Sequence, residues 1–209
     1  HHRQNINSIQ NNLNKDLKGL YKWLLANKIS LNAAKTELVI FRKPSWPRPI
    51  TNIKIAGVRI SPSPSTKYLG IHLDEFLNGS AHCNKLSTSL RRANGMLAKS
   101  RHYLKHCPEH LRTVYHSIFS SHMIYGCLSW YNTNNQCTNK IQVLQNNALR
   151  LISFADSFRD HITPTYKEFN ILKICDHVTM EKLLLVHDYL NNKLPTCFNG
   201  YFTLIRDQY

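Results

Sequence analysis

The apolar residues of this chain change their spacing twice, and those changes constrain the fold more than any other feature. Residues 5–28 carry Ile6, Ile9, Leu13, Leu17, Leu20, Tyr21, Leu24 and Leu25, whose steps of three and four put one apolar face on a helix. Gly19 costs such a helix a little, but the pattern outweighs it. The period then shortens. Thr36 to Phe41 is short and rich in β-forming residues. Ile53, Ile55, Val58 and Ile60 flank Ala56-Gly57 as the arms of a hairpin flank a turn. After the loop Ser61-Pro62-Ser63-Pro64, Thr66 to Leu73 reads as a further strand. Beyond Gly79 the helical spacing returns and stays. Cys83, Leu86, Leu90, Ala93, Leu97 and Leu104 fit one long helix, and Pro108 opens another that uses Leu111, Val114, Ile118 and Phe119. A third runs from about Asn139 through Ile141, Leu144, Ala148, Leu151 and Ile152, and more helix is expected over 164–170 and 175–192. Helix, small antiparallel sheet, then helices alone define an α+β chain with an all-α bundle at its end.

With 209 residues, 42% of them hydrophobic, the chain has enough apolar material for a real core. The most apolar run, Met123 to Tyr131, is interrupted by Gly126 and Ser129 and falls far short of the roughly 20 residues a membrane-spanning helix needs. The chain begins at His1 without an initiator Met and reads as a piece of a longer protein. Its six cysteines, at 83, 107, 127, 137, 175 and 197, form no Cys-x-x-Cys pair. They read as reduced, mostly buried thiols of an intracellular protein.

The charge is +15 overall and unevenly spread. Residues 1–130 hold 19 Lys and Arg against 5 Asp and Glu, whereas residues 131–209 hold 8 against 7. A basic front with a near-neutral rear predicts one surface built for a polyanion, nucleic acid ahead of anionic membrane.

Residues 23–36 are the most distinctive stretch. Trp23, Asn27, Lys28, Leu31, Asn32, Lys35 and Thr36 spell a helix end, a polar turn and the start of a strand. That segment resembles motif D of the reverse transcriptases of non-LTR (LINE-like) retrotransposons, nearest the jockey and CR1 type. Lys67-Tyr68-Leu69-Gly70-Ile71 followed by Asp74 resembles motif E, the primer grip. His82, the basic helix with Lys85 and Arg91, Tyr115, Tyr125-Gly126, Trp130, and Gln145 with Ala148 and Arg150 resemble the thumb of that family. The order and spacing of these pieces over residues 5–155 carry the resemblance; residues 156–209 fit it loosely.

The resemblance implies three segments: the end of a palm over 1–78, a helical thumb over 79–155 and a helical extension over 156–209. It implies an RNA-directed DNA polymerase working in the nucleus. Its partners would be an RNA template, an RNA–DNA or DNA primer duplex, and the upstream fingers–palm half of the same polypeptide, with no membrane. DNA synthesis needs two metal ions, magnesium for the complete polymerase, held by aspartates. The family's Tyr-x-Asp-Asp box would precede this chain, and no Asp-Asp pair occurs in it. Asp74-Glu75 reads as a solvated turn rather than a metal site, so the chain is expected to hold no cofactor and to be inactive in polymerisation by itself.

Lys35 matches the motif D lysine, which in related polymerases is thought to protonate departing pyrophosphate. The motif E resemblance implies that Tyr68, Leu69 and Gly70 form the primer grip as a strand hairpin presenting backbone to the primer's last nucleotides, Tyr68 offering a flat face and Gly70 a close approach. Lys67 and the helix residues Lys85, Arg91, Arg92, Lys99, Arg101 and Lys105 would contact phosphates without reading sequence. Tyr115, Tyr125, Trp130 and Tyr131 read mostly as core. His102, His106 and His110, with Cys107 among them, have ligand-like spacing, but Pro108 breaks the helix that would unite them. Two other readings stand beside the polymerase fragment: a stand-alone nucleic-acid-binding module derived from such an element, and a structural helical protein that binds other proteins.

Overall fold

Helix α1 (Ile6–Ala26) forms where the first helical period predicts it. It ends in a Schellman turn, with Lys28 in the left-handed region and the N–H groups of Lys28 and Ile29 donating to the carbonyls of Leu25 and Leu24. The Asn27 amide adds a bond to the Trp23 carbonyl at 2.8 Å. These features come from a computed structural model that describes residues 6–131, 135–154 and 161–202. The chain is α+β and divides into two compact units, residues 1–82 and 83–209.

In the first unit, β1 (Ile53–Ile55) and β2 (Val58–Ile60) make the expected hairpin around Ala56-Gly57, both at positive φ. Ile53, Ile55 and Ile60 are buried. The outer edge of β1 is closed by amide side chains of α1. Asn14 accepts from the Lys54 N–H at 2.9 Å and donates to the Asn52 carbonyl at 3.0 Å, while Gln10 accepts from the Asn52 N–H at 2.8 Å. These bonds do for the edge what another strand would do. No residue of α1 is itself buried, and Ile6, Ile9, Leu20, Trp23 and Leu25 remain exposed among the described residues.

Two expected strands take a different form. Residues 36–41 make only one parallel bridge, Leu38 with Pro62. The facing segment alternates Ser and Pro, so Ser63 supplies its one N–H bond to Leu38, at 2.7 Å, and the prolines have none to give. Residues 66–73 are not one strand but a hairpin, β3 (Ser65–Tyr68) against β4 (Ile71–Asp74), turning at Leu69-Gly70.

Asp74-Glu75 also departs from expectation, being buried rather than a solvated turn. Oδ1 of Asp74 accepts the N–H groups of Phe76 and Asn78, both at 3.1 Å. Glu75 is held by Arg42 at 3.0 Å and Arg48 at 2.9 Å, and hydrogen bonds from Arg48 first keep its carboxyl below the usual range. At the same end of the unit His82 is buried, and its Nδ1 accepts the His72 N–H at 3.3 Å. Burial first, then the nearby His72 ring, lowers the His82 pKa from 6.5 to about 4. The fold therefore favours the neutral ring. Its contribution is complete above pH 6.5 and is lost as pH falls toward about 4, by up to about 3 kcal/mol. Denaturant midpoints are expected to drop between neutral pH and about pH 5, and His82→Gln should flatten that dependence.

The second unit is helical: the body of α2 (Ser80–Tyr103), α3 (Pro108–Val114), α4 (Ser121–Ile124), α5 (Cys127–Trp130), α6 (Asn135–Ile152), α7 (Thr163–Glu168) and α8 (Ile174–Leu190). Tyr115–Ser120 forms a π-helical turn that joins α3 to α4. Leu111, Tyr115, Phe119, Met123 and Cys127 are all buried, a step of four repeated four times. On a regular α-helix each such step drifts by roughly 40°, and the wider π turn takes that drift back. Val114 and Ile118, expected on the core face, are therefore only partly buried. Gly126 then breaks the helix in the left-handed region, and the indole of the buried Trp130 donates to the Tyr125 carbonyl at 3.1 Å. α8 packs on α4, α5 and α6, yet Leu183, Leu184 and Leu190 stay exposed. The expected boundary between residues 155 and 156 lies outside the described residues. Among the described residues no helix is long and apolar enough to cross a membrane.

The thiols are less buried than expected. Cys83 and Cys127 are buried, Cys107 and Cys137 partly so, and Cys175 and Cys197 exposed. Burial, then a bond to the Cys137 thiol, pushes Cys83 up to about 12, so it remains a thiol at neutral pH.

Candidate nucleic-acid interface

In the second unit the basic residues of α2 separate by geometry. Lys85, Arg92 and Lys99 follow one another at seven-residue steps, which returns a helix nearly to the same face. All three are exposed, opposite the buried stripe of Leu86, Leu90, Ala93 and Leu97. The row is roughly 21 Å long, about six base pairs of duplex. Arg91 is exposed on the flank of that row. Asp and Glu are absent from the sequence between Glu75 and Glu109, and no ion pair joins these cations among the described residues. Four cations are thus left for an external anion.

Two residues expected with them stand elsewhere. Arg101 lies four positions after Leu97, on the inward side, and its guanidinium rests 5.0 Å from the centre of the Phe154 ring. Lys105 lies in the turn that follows α2. Of the possible ligands around Pro108, Cys107, Glu109 and His110 bring their donor atoms within 4.8 Å of one another, without His102 or His106. Glu109 and His110 already pair at 3.2 Å and are exposed, so an ordinary surface contact accounts for the group.

Gln145, part of the motif that resembles the thumb, is fully buried. Its amide donates to the Leu172 carbonyl at 2.8 Å and to the Tyr115 hydroxyl at 3.3 Å, and its oxygen accepts the Ile174 N–H at 3.1 Å and the Gln142 amide at 3.2 Å. It joins α6, the π turn and the start of α8 from inside. Tyr115 and Trp130 are core, whereas Tyr125 is exposed.

In the first unit Tyr68, Leu69 and Gly70, expected to form a primer grip, occupy the tip of the β3–β4 hairpin. Leu69 and Gly70 both have positive φ, 46° and 85°. Gly70 is thus required by the turn itself, and Leu69 sits where a leucine is rarely found. Tyr68 and Leu69 are 64% and 73% exposed, so the turn presents two large apolar side chains to solvent. Lys67 is exposed on β3 across from His72. Lys35 ends a single 3₁₀ turn, Ala33–Lys35, capped by Asn32. Its N–H is bonded to the Asn32 side chain at 3.2 Å and carbonyl at 3.1 Å. The backbone is held while the exposed ammonium has no partner among the described residues.

No protein-family model matches the chain, and no solved structure does. The chain is similar to a probable RNA-directed DNA polymerase from transposon X-element of Drosophila melanogaster, at 27% identity over 185 residues. That similarity covers 85% of this chain and 20% of the relative, so the chain spans about a fifth of that protein's length. The likeness is therefore a distant one, to part of a transposon's RNA-directed DNA polymerase.

Proposed function

We propose that the chain is the motif D, motif E and thumb part of a non-LTR retrotransposon reverse transcriptase, and that it grips a primer–template duplex through its backbone phosphates. The observation that carries this reading is the acid-free row Lys85, Arg92 and Lys99 on an exposed helix face. Cations spaced along one exposed helix face can meet successive phosphates, which positions a duplex without reading its sequence. The exposed hairpin tip at Tyr68-Leu69-Gly70 supports a primer grip, and the uncovered apolar face of α1 supports a fingers–palm half of the same polypeptide as its cover. The residues present do not fit the magnesium ions of polymerisation. Asp74 is engaged by its own loop and Glu75 by two arginines. The isolated chain is therefore proposed to bind without polymerising.

The test is equilibrium binding of a blunt RNA–DNA hybrid across a range of salt. Replacing Lys85, Arg92 and Lys99 together by alanine is expected to lower affinity on the order of a hundredfold near 0.1 M salt and to reduce the salt slope by roughly three. Unchanged affinity and slope would remove α2 from the interface.

A further inference from the structure

Residues 41–50, between the two parts of the first unit already described, belong to none of the motifs above. This loop carries Phe41, Trp46 and Ile50 exposed, with Trp46 at 53%. Pro44, Pro47 and Pro49 restrict its backbone, which lowers the entropy lost when it is held in one shape. One carboxylate pins both ends: Glu75 binds Arg42 on the way in and Arg48 on the way out. Arg42 also lies 4.8 Å over the Phe76 ring and donates to the Trp46 carbonyl, and the Trp46 N–H closes a turn on Lys43 at 3.0 Å. The indole is held out on a braced support, an arrangement that an incidental exposed side chain does not need.

The charge around it selects the partner. Residues 41–60 contain Arg42, Lys43, Arg48, Lys54 and Arg59 and no Asp or Glu. Lys43 places its ammonium 5.7 Å from the centre of the Trp46 ring. From Ile50 onward the chain borders an open depression of about 760 Å³ whose lining includes Asn52, Lys54 and Arg59. Ile50 lies four positions after Trp46, at most roughly 14 Å away, or about two to three nucleotides of an extended strand. A partner with flat apolar faces and a negative charge at each unit meets the ring and the cations together. Unstacked bases provide such faces, and bases inside a duplex do not.

We propose that the loop 41–50 is a binding site for single-stranded nucleic acid, with a base stacked on Trp46 and phosphates led past Lys43 toward Lys54 and Arg59. This goes beyond the duplex grip, since it involves other residues and a different form of nucleic acid.

The experiment uses the whole chain carrying Trp23→Phe. Among its indoles Trp130 is 2% exposed, which leaves Trp46 as the accessible one. Titration with a thymidine hexanucleotide at low salt should quench the Trp46 emission, and Trp46→Phe should remove the quench while keeping most of the affinity. Trp46→Ala should lower hexanucleotide affinity roughly tenfold and leave blunt-duplex affinity within about twofold. The Lys85, Arg92 and Lys99 triple variant should still show the quench, so failure of the duplex reading is visible separately. Absence of quenching, or Trp46→Ala binding as tightly as its parent, would overturn the proposal. Equal losses for hexanucleotide and duplex would overturn it too, since the loop would then be part of a general grip.

Discussion

Gln145→Ala is expected to lower the unfolding free energy by about 3–5 kcal/mol and the melting temperature by roughly ten degrees. Three of its four hydrogen bonds leave its own helix, for the Tyr115 hydroxyl on the π turn, the Leu172 carbonyl before α8 and the Ile174 N–H that opens α8. Removing the amide takes a partner from the buried Tyr115 hydroxyl and the Ile174 N–H, and an unsatisfied buried polar group costs about 1–3 kcal/mol. Gln145→Leu separates the causes, because it keeps the volume and loses the bonds. A loss close to that of the alanine variant places the energy in the hydrogen bonds, and near-wild-type stability would place it in packing. If Gln145→Ala instead weakens duplex binding at unchanged stability, Gln145 is a contact residue and not a structural joint.

In a complete reverse transcriptase carrying this segment, Lys35→Ala is expected to slow single-turnover nucleotide addition by about a hundredfold, with primer–template affinity unchanged. The turn Ala33–Lys35 fixes the main chain through Asn32, while the side chain is exposed and its ammonium has no partner among the described residues. A lysine in that role would give a proton to the departing pyrophosphate. Its behaviour should be opposite to that of Arg92, whose replacement should reduce affinity and the salt slope. Should Lys35→Ala lower affinity and spare the rate, it is a phosphate clamp; no change in either makes it a solvated turn residue.

What the sequence made legible was local. The helical periods at 6–26 and 80–103 and the Ala56-Gly57 hairpin follow from residues a few positions apart. The turn at Leu69-Gly70 was hidden from residue spacing because leucine disfavours the positive φ it adopts there, and a hairpin at that place was implied by the motif E resemblance instead. The strand over 36–41 was over-read because the capacity of a strand to pair depends on its neighbour, and that neighbour holds Pro62 and Pro64. Glu75 looked solvated because its arginines lie 33 and 27 residues away. Two signals were within reach. Arg101, four residues beyond Leu97, belongs by simple counting to the inward face. Gln145, at helical spacing between Ile141 and Ala148, is a polar residue on an apolar stripe, which is where a buried hydrogen-bonding joint announces itself.

The π turn at Tyr115–Ser120 bears on how this chain can vary in length. A wide turn stores one residue more than the α-turn it replaces. Removing a residue there would tighten the helix without rotating Leu111 and Met123 out of the core on either side. The same deletion in α2 would swing its cations through roughly 100° toward the apolar face. Single-residue gaps among relatives should therefore gather at 115–120, where the helix already carries its slack, and avoid 85–99.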